Sequence, residues 1–434
     1  MGIFLTARLK LLQVKRFSYI LRCTLGSLLK PRKSLPSSGE ITPFQALSTA
    51  LAATVGTGNI AGVATAIFLG GPGAVFWMWV SAFFGMSIKY GEVVLAVHYR
   101  TKSDGHIAGG PMYFLKKGLK SSSLALLYSL FGSLAAFGIG NMVQANSVAD
   151  ALRSTFGVPV HITGFFLSFL IALIILGGIK RIALIASSIV PFMAFFYITA
   201  SLSILILFSR QIPSALSLIF VDAFAARAAA GGIAGTAVSN AWRFGISRGI
   251  FTNEAGLGSA SIAHAAARTP HPVRQGLWGV VEVFIDTHII CTITALVLLV
   301  TDAWSSGLEG ASMTAEAFSR GLPGNIGQYL VSLSLIFFAF STLLSWAYYG
   351  EKCAEYLCGG RCARFYRPLW IIFIFIGSLG GLRVVWYLAD ILNALMAFPN
   401  LLGLLGLSGV IVRLTQGYFY ENRTDKTNKG NKWR

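Results

Sequence analysis

The sequence predicts an all-α polytopic membrane protein with two five-helix halves in inverted topology and a break in the first helix of each half. Three observations predict it. Hydrophobic residues make up 55% of the 434-residue chain and charged residues only 12%, against roughly a quarter charged in a soluble domain. Ten apolar segments fall at about 44–69, 74–98, 124–150, 160–178, 182–208, 235–267, 275–301, 326–349, 369–388 and 390–412. The first and sixth of these, at corresponding positions of the two halves, are interrupted by glycine and polar residues.

The loops orient the chain. Net charge is +19, but the basic residues lie between alternate apolar segments, which reads as membrane orientation and not as nucleic-acid binding. Lys10, Lys15, Arg16 and Arg22 precede the first segment, Arg100 to Lys120 follow the second, Lys180 and Arg181 the fourth, Arg268 and Arg274 the sixth, and Lys352 to Arg367 the eighth. The expected layout is a basic N-terminal segment (1–40), a ten-helix core (41–413, with repeats at about 41–208 and 213–413) and a basic tail (414–434), both termini cytoplasmic. No secretory signal is evident in residues 1–40. Cys353, Cys358 and Cys362 lack a C-x-x-C pair and a fourth ligand, so they read as reduced thiols.

Each interrupted segment carries chemistry. The first runs F-Q-A-L-S-T-A-L-A-A-T-V-G-T-G-N-I-A-G-V-A-T-A-I-F-L, with Gly56-Thr57-Gly58-Asn59 at mid-depth. Backbone unwound there must face protein or a cavity, since lipid offers no hydrogen bonds. Freed carbonyls then suit a cation, and freed N–H groups at a half-helix end suit a carboxylate. Close packing through small residues is the bland alternative. The sixth segment breaks at Phe251-Thr252-Asn253-Glu254-Ala255-Gly256-Leu257-Gly258, with Gly231–Gly235 as a second candidate. Glu254 is an acid inside an apolar span, which marks an ion or proton pathway, or else it caps a half-helix or pairs with Arg243 or Arg248.

Polar residues on other spans converge on the same reading. Asn141 and Gln144 share a helical face in the third and suit substrate ammonium or amide groups, or inter-helix bonds. Ser341, Thr342 and Ser345 in the eighth offer hydroxyl oxygens for a monovalent cation, and Trp346 beside them can wall a small pocket. Asp286 in the seventh is a second candidate for coupling, while His264 and His288 read as structural.

Longer motifs carry a resemblance. G-G-P-G-A-V-F-W-M-W-V-S-A-F-F-G (70–85), G-G-P-M-Y-F (109–114), R-G-I-F-T-N-E-A-G-L-G-S-A-S-I-A-H-A-A-A, Q-G-L-W-G-V-V-E-V-F-I-D-T and S-W-A-Y-Y-G-E-K-C-A-E-Y-L resemble the alanine/glycine:cation symporter family across residues 41 to about 360. The resemblance implies a leucine-transporter-like fold and import of alanine or glycine with Na⁺, or with H⁺. It implies substrate contacts at Gly58, Asn59, Gly62, Thr65, Gln144, Phe251, Thr252, Asn253 and Trp346. It implies a Na⁺ site among Thr54, Val55, Gly58, Ser341 and Thr342, with Glu254 and Asp286 as coupling or gating candidates. No cofactor, other metal, catalytic residue, nucleic acid or obligatory protein partner is expected; the surroundings are the lipid bilayer of a bacterial inner membrane. Family members usually carry a further hydrophobic helix ahead of G-I-F-L-T-A-R-L-K-L-L-Q, so such a helix is expected upstream or lost. A proton-coupled carrier of another small solute and a passive channel remain the alternatives.

Overall fold

The computed structural model describes residues 1–28, 39–103, 106–224, 234–380 and 383–430. Three short helices, α1 (Gly2–Arg8), α2 (Leu12–Lys15) and α3 (Phe17–Cys23), open the chain. The first span follows as α4 (Pro43–Thr54) and α5 (Val63–Gly70), joined by a π turn at Gly58–Gly62 and bent by 52°. Thr42 starts α4 with a reciprocal capping box to Gln45 and Pro43 in the first turn, which satisfies the end amides that a helix cannot pair itself. Next come α6 (Ala74–His98), the hairpin β1 (Thr101–Ser103) and β2 (His106–Ala108), and α7 (Pro111–Lys117). The third span is α8 (Ser122–Phe137) and α9 (Val143–Phe156), continuous through a π turn at Gly138–Met142. Helices α10 (Val160–Ile175) and α11 (Gly178–Leu207) close the first half.

Helix α12 (Ile212–Phe224) leads into the second half. There the sixth span is α13 (Ala234–Asn253) and α14 (Ser259–Ala265), separated by residues 254–258. The candidate break at Gly231–Gly235 falls largely outside the described residues. The seventh span is α15 (Pro272–Val283) and α16 (Thr292–Val300) around a π stretch at Phe284–Cys291. After α17 (Gly310–Gly321) come α18 (Ile326–Cys358), α19 (Gly360–Ser378), α20 (Arg383–Gly406) and α21 (Ser408–Gly430). Among the described residues six helices are long and apolar enough to cross a bilayer, seven with the bent α4–α5 pair, and α10 is a shorter apolar helix. The chain is a multi-pass membrane protein.

The boundaries of the last three spans differ from the apolar pattern. The eighth span runs to Cys358, nine residues past the apolar stretch, and the ninth begins at Gly360 and ends at Ser378. The polar turns of both belong to the helices because their charges pair. Arg367 on α19 donates twice to Glu351 on α18, at 2.7 Å each. The tenth span ends at Gly406, and α21 continues across the expected start of the tail.

Packing divides the spans into two groups. Helix α6 lies against α13, α14 and α15, and α13 also lies against α5, so spans one, two, six and seven form one bundle. Helices α8 and α9 pack on α18, and α10 on α19, so spans three, four, eight and nine form a second. Helix α11 seals α4 against α18, and α20 packs on α8. Both broken helices therefore belong to one bundle and face the other across the middle of the molecule, where unwound backbone is shielded from lipid.

Candidate functional site between the broken helices

The first break sets two carbonyls free. Helix α4 closes with Val55 N–H donating to the Leu51 carbonyl. The next amide, Gly56 N–H, turns away to the Asn59 side-chain oxygen at 2.9 Å, so the Ala52 carbonyl loses its helical partner. Hydroxyls on α18 approach instead. Ser341 Oγ lies 3.2 Å from the Ala52 carbonyl oxygen and 2.9 Å from that of Phe338. Thr342 Oγ1 lies 3.4 Å from the Ala53 carbonyl oxygen and 2.9 Å from that of Phe338. Two carbonyls and two hydroxyls thus meet in a buried, uncharged oxygen cluster of the type that replaces a monovalent cation's hydration shell.

The break is held from the far side by Asn59. Its amide donates to Asp286 Oδ1 at 2.7 Å, and Asp286 Oδ2 accepts from Thr287 at 2.8 Å. Asn253 extends the network by donating to Thr287 Oγ1 at 3.2 Å. One chain of bonds therefore joins spans one, seven and six. Asn59 and Asp286 are wholly buried.

The sixth break is built by residues of unusual backbone geometry. Glu254 has φ +54, Gly256 φ +104 and Gly258 φ +77, and left-handed backbone after Asn253 stops α13 from continuing. Its free groups are taken by other helices. Gly256 N–H donates to Glu92 Oε1 at 2.9 Å, Asn400 donates to the same oxygen at 2.7 Å and to the Gly256 carbonyl at 2.8 Å, and Tyr128 donates to the Leu257 carbonyl. Behind Glu92 lies a wholly buried ionic group: Lys89 Nζ is 3.2 Å from Glu282 Oε1, and His264 Nε2 is 3.0 Å from Glu282 Oε2. The Glu254 carboxylate accepts from Trp346 Nε1 at 2.8 Å and from Ser259.

Two cavities meet at this junction. The larger, about 1200 Å³, runs between α5, α9, α13, α17 and α18 and is lined by Thr57, Gly58, Gly62, Thr65, Arg248 and Asp390 among others. The smaller, about 10 Å³, lies between the breaks and is lined by Ala53, Thr54, Gly56, Thr57, Gly58, Ile139, Gln144, Phe251, Glu254, Thr342 and Trp346. Phe251, Thr57 and Gly58 line both. Two buried oxygens in the wall of the smaller cavity, Thr57 Oγ1 and Gln144 Oε1, have no hydrogen-bond partner among the described residues. Buried polar atoms are seldom left so.

The residues singled out from sequence divide accordingly. Gly58, Gln144, Phe251 and Trp346 meet at the small cavity with Thr54 and Thr342, while Gly62 and Thr65 line the large one. Asn59, Thr252 and Asn253 line neither. Asn59 is consumed by Asp286 and Gly56, Thr252 donates to the Gly249 carbonyl, and Asn253 bonds Thr287 and Ala255. Asn141 turns to the Trp370 carbonyl. The hydroxyls of Ser341 and Thr342 meet the carbonyls of Ala52 and Ala53, just ahead of Thr54 and Val55. Val55 is buried in the apolar core, and a Cβ on Gly58 would meet Thr252 and Phe251. Glu254 pairs with Trp346 and Ser259 and not with Arg243 or Arg248. Sequence reasoning passed over Lys89, Glu92, Glu282 and Asn400, although charges inside apolar spans were the available signal.

Two helix bundles with a broken helix of each half facing a central cavity define a secondary transporter of the leucine-transporter fold. Solved structures of low sequence identity share that fold. MhsT in complex with L-phenylalanine matches with a TM-score of 0.62 at 14% identity, over 84% of this chain and 89% of that one. Mhp1, a nucleobase-cation-symport-1 family transporter, matches with a TM-score of 0.52 at 14% identity, over 88% and 80%. The chain belongs to the sodium:alanine symporter family, whose model matches residues 1–432. The sodium/alanine symporter AgcS of Methanococcus maripaludis is 51% identical over 96% of this chain and 92% of its own length.

Proposed function

We propose that the protein imports a small neutral amino acid, alanine or glycine, together with Na⁺ by alternating access across a bacterial inner membrane, with its C-terminus in the cytoplasm. The observation that carries this is one small cavity whose wall holds Thr57 Oγ1 and Gln144 Oε1, without partners among the described residues, together with Ala53 and Thr342, the edge of the oxygen cluster that Ala52 and Ser341 complete behind it. In this reading Na⁺ is held by those two carbonyls and two hydroxyls. The ion tethers α4 to α18 and so fixes the first break. The amino acid's carboxylate lies at the amides that begin the Gly58–Gly62 turn, where the helix end is positive. Its ammonium is received by Gln144 Oε1 and Thr57 Oγ1, neutral acceptors with no other call on them.

The conformation supports an outward-facing, nearly closed site. The large cavity reaches toward the ends of α9 and α17, away from the termini, whereas α14 and the Lys89–Glu282–His264 group pack the terminal side. Phe251 stands between the cavities, so it must move aside to admit substrate. Phe251, Trp346, Ile139 and Gln144 crowd the wall of the small cavity, which favours short side chains. The test is accumulation of radiolabelled alanine above equilibrium in proteoliposomes. The reading expects accumulation to vanish when a Na⁺ ionophore collapses the gradient; accumulation that persists refutes it.

A further inference from the structure

We infer that Glu254 is a positioning residue that sets substrate size by fixing the indole of Trp346, with Gly140 packed closely against the base of the same side chain. The inference rests on the transport reading above and names the specificity device of the same cavity. Trp346 is 1% exposed, and its ring forms part of the wall of the small cavity. Three neighbours fix that ring. Its Nε1–H donates to Glu254 Oε1 at 2.8 Å. Tyr349 meets it in a T-shaped contact with centroids 5.7 Å apart. Gly140, in the π turn of the third span, lies so close that a Cβ there would overlap Trp346 Cβ and the indole.

The other half of the argument is how firmly Glu254 itself is held. Its second oxygen accepts from Ser259, the first residue of α14. Its backbone has φ +54, a conformation rare for a residue with a side chain. The carboxylate is thus spanned between the start of α14 and the indole on α18, with both oxygens engaged. A buried indole N–H needs an acceptor, and no other acceptor for it is present among the described residues. An apolar side chain at 254 leaves that N–H unsatisfied and releases the ring; a side chain on Gly140 collides with Trp346 Cβ and the indole and displaces the ring.

The test measures inhibition of radiolabelled alanine uptake by glycine, 2-aminobutyrate, valine and leucine in proteoliposomes carrying wild type, Glu254→Gln, Glu254→Leu, Trp346→Phe or Gly140→Ala. The wild type is expected to reject valine and leucine. Glu254→Gln retains an amide oxygen for the indole and is expected to keep the wild-type size order. Glu254→Leu and Trp346→Phe are expected to lower the preference for alanine over valine at least tenfold, and Gly140→Ala to shift preference toward glycine. If Glu254→Leu does not fold, Trp346→Phe and Gly140→Ala carry the test. An unchanged size order in those two variants overturns the inference. So does a Glu254→Gln protein that loses uphill accumulation as completely as a leucine variant, since the acid then couples and does not position. A wild type with no amino-acid uptake fails at an earlier step and refutes the transport reading itself.

Discussion

Thr342→Val isolates the oxygen cluster with little other disturbance. Valine matches threonine in shape, so no cavity opens, and the change removes one hydroxyl that lies 3.4 Å from the Ala53 carbonyl and 2.9 Å from that of Phe338. The Phe338 contact is a back-bond within the helix, which contributes little to stability. Losing an interaction with a charged group removes about 1.5–3 kcal/mol, and each 1.4 kcal/mol is about tenfold in affinity. The Na⁺ concentration for half-maximal alanine uptake should therefore rise roughly 10- to 100-fold. The alanine concentration for half-maximal uptake at saturating Na⁺ should change less than about threefold, because the ammonium and carboxylate partners lie elsewhere in the cavity. Ser341→Ala, at 3.2 Å from the Ala52 carbonyl, should behave in the same way. A Na⁺ dependence within twofold of wild type in both variants refutes the assignment of the cluster to the ion.

Gly56→Ala should cut uptake more than tenfold, because its Cβ would lie 2.7 Å from Thr342 Oγ1; such overpacking costs about 1–3 kcal/mol, and wild-type uptake in this variant contradicts the geometry. Asn59→Ala strands the Gly56 N–H and Asp286 Oδ1 in a fully buried site, at about 1–3 kcal/mol for each group. Its thermal midpoint in detergent should fall by several degrees, and an unchanged midpoint speaks against the network. On the loop that precedes α15, burial pushes the His271 imidazole below its ordinary value, while its Nδ1 accepts from Val273 N–H at 3.2 Å. The folded state thus favours the neutral ring. Its stabilising contribution is present above the unfolded value near ~6.5 and is lost as pH falls through the lowered folded value. His271→Asn, which keeps a capping oxygen, should show a smaller loss of thermal stability between pH 7 and 5 than wild type; an equal loss places the acid sensitivity elsewhere.

Much of this architecture is legible in the sequence because the membrane makes backbone exceptions conspicuous. Gly56-Thr57-Gly58-Asn59 and Asn253 to Gly258 stand out in apolar surroundings, and both breaks lie where the pattern places them. The oxygen cluster is only half legible. Ser341 and Thr342 are side chains and can be read, whereas the Ala52 and Ala53 groups are backbone carbonyls, exposed by the end of α4 at Thr54, that of Ala52 because Gly56 N–H turns to Asn59. Asn59 is legible only in part, for a related reason. Its polarity marks the break, but its partner Asp286 is 227 residues away, and no local spacing reveals the pair. Lys89, Glu92 and Glu282 read singly as isolated charges and acquire meaning only when α6, α14 and α15 pack together. Helix α17 escaped because its amphipathic surface covers the large cavity and is not long or apolar enough to read as a span. The ends of α18 and α19 were misjudged because hydropathy stops where the Glu351–Arg367 pair begins, while the helices continue.

The central claim is that a Na⁺ gradient drives alanine through the cavity between the two breaks. It is tested most directly by radiolabelled alanine uptake into proteoliposomes under an inward Na⁺ gradient, an equal K⁺ gradient, and an inward proton gradient without Na⁺. Uptake that requires Na⁺, exceeds equilibrium and is competed by glycine is the predicted result. Equal uptake with K⁺, or uptake driven by the proton gradient alone, contradicts it.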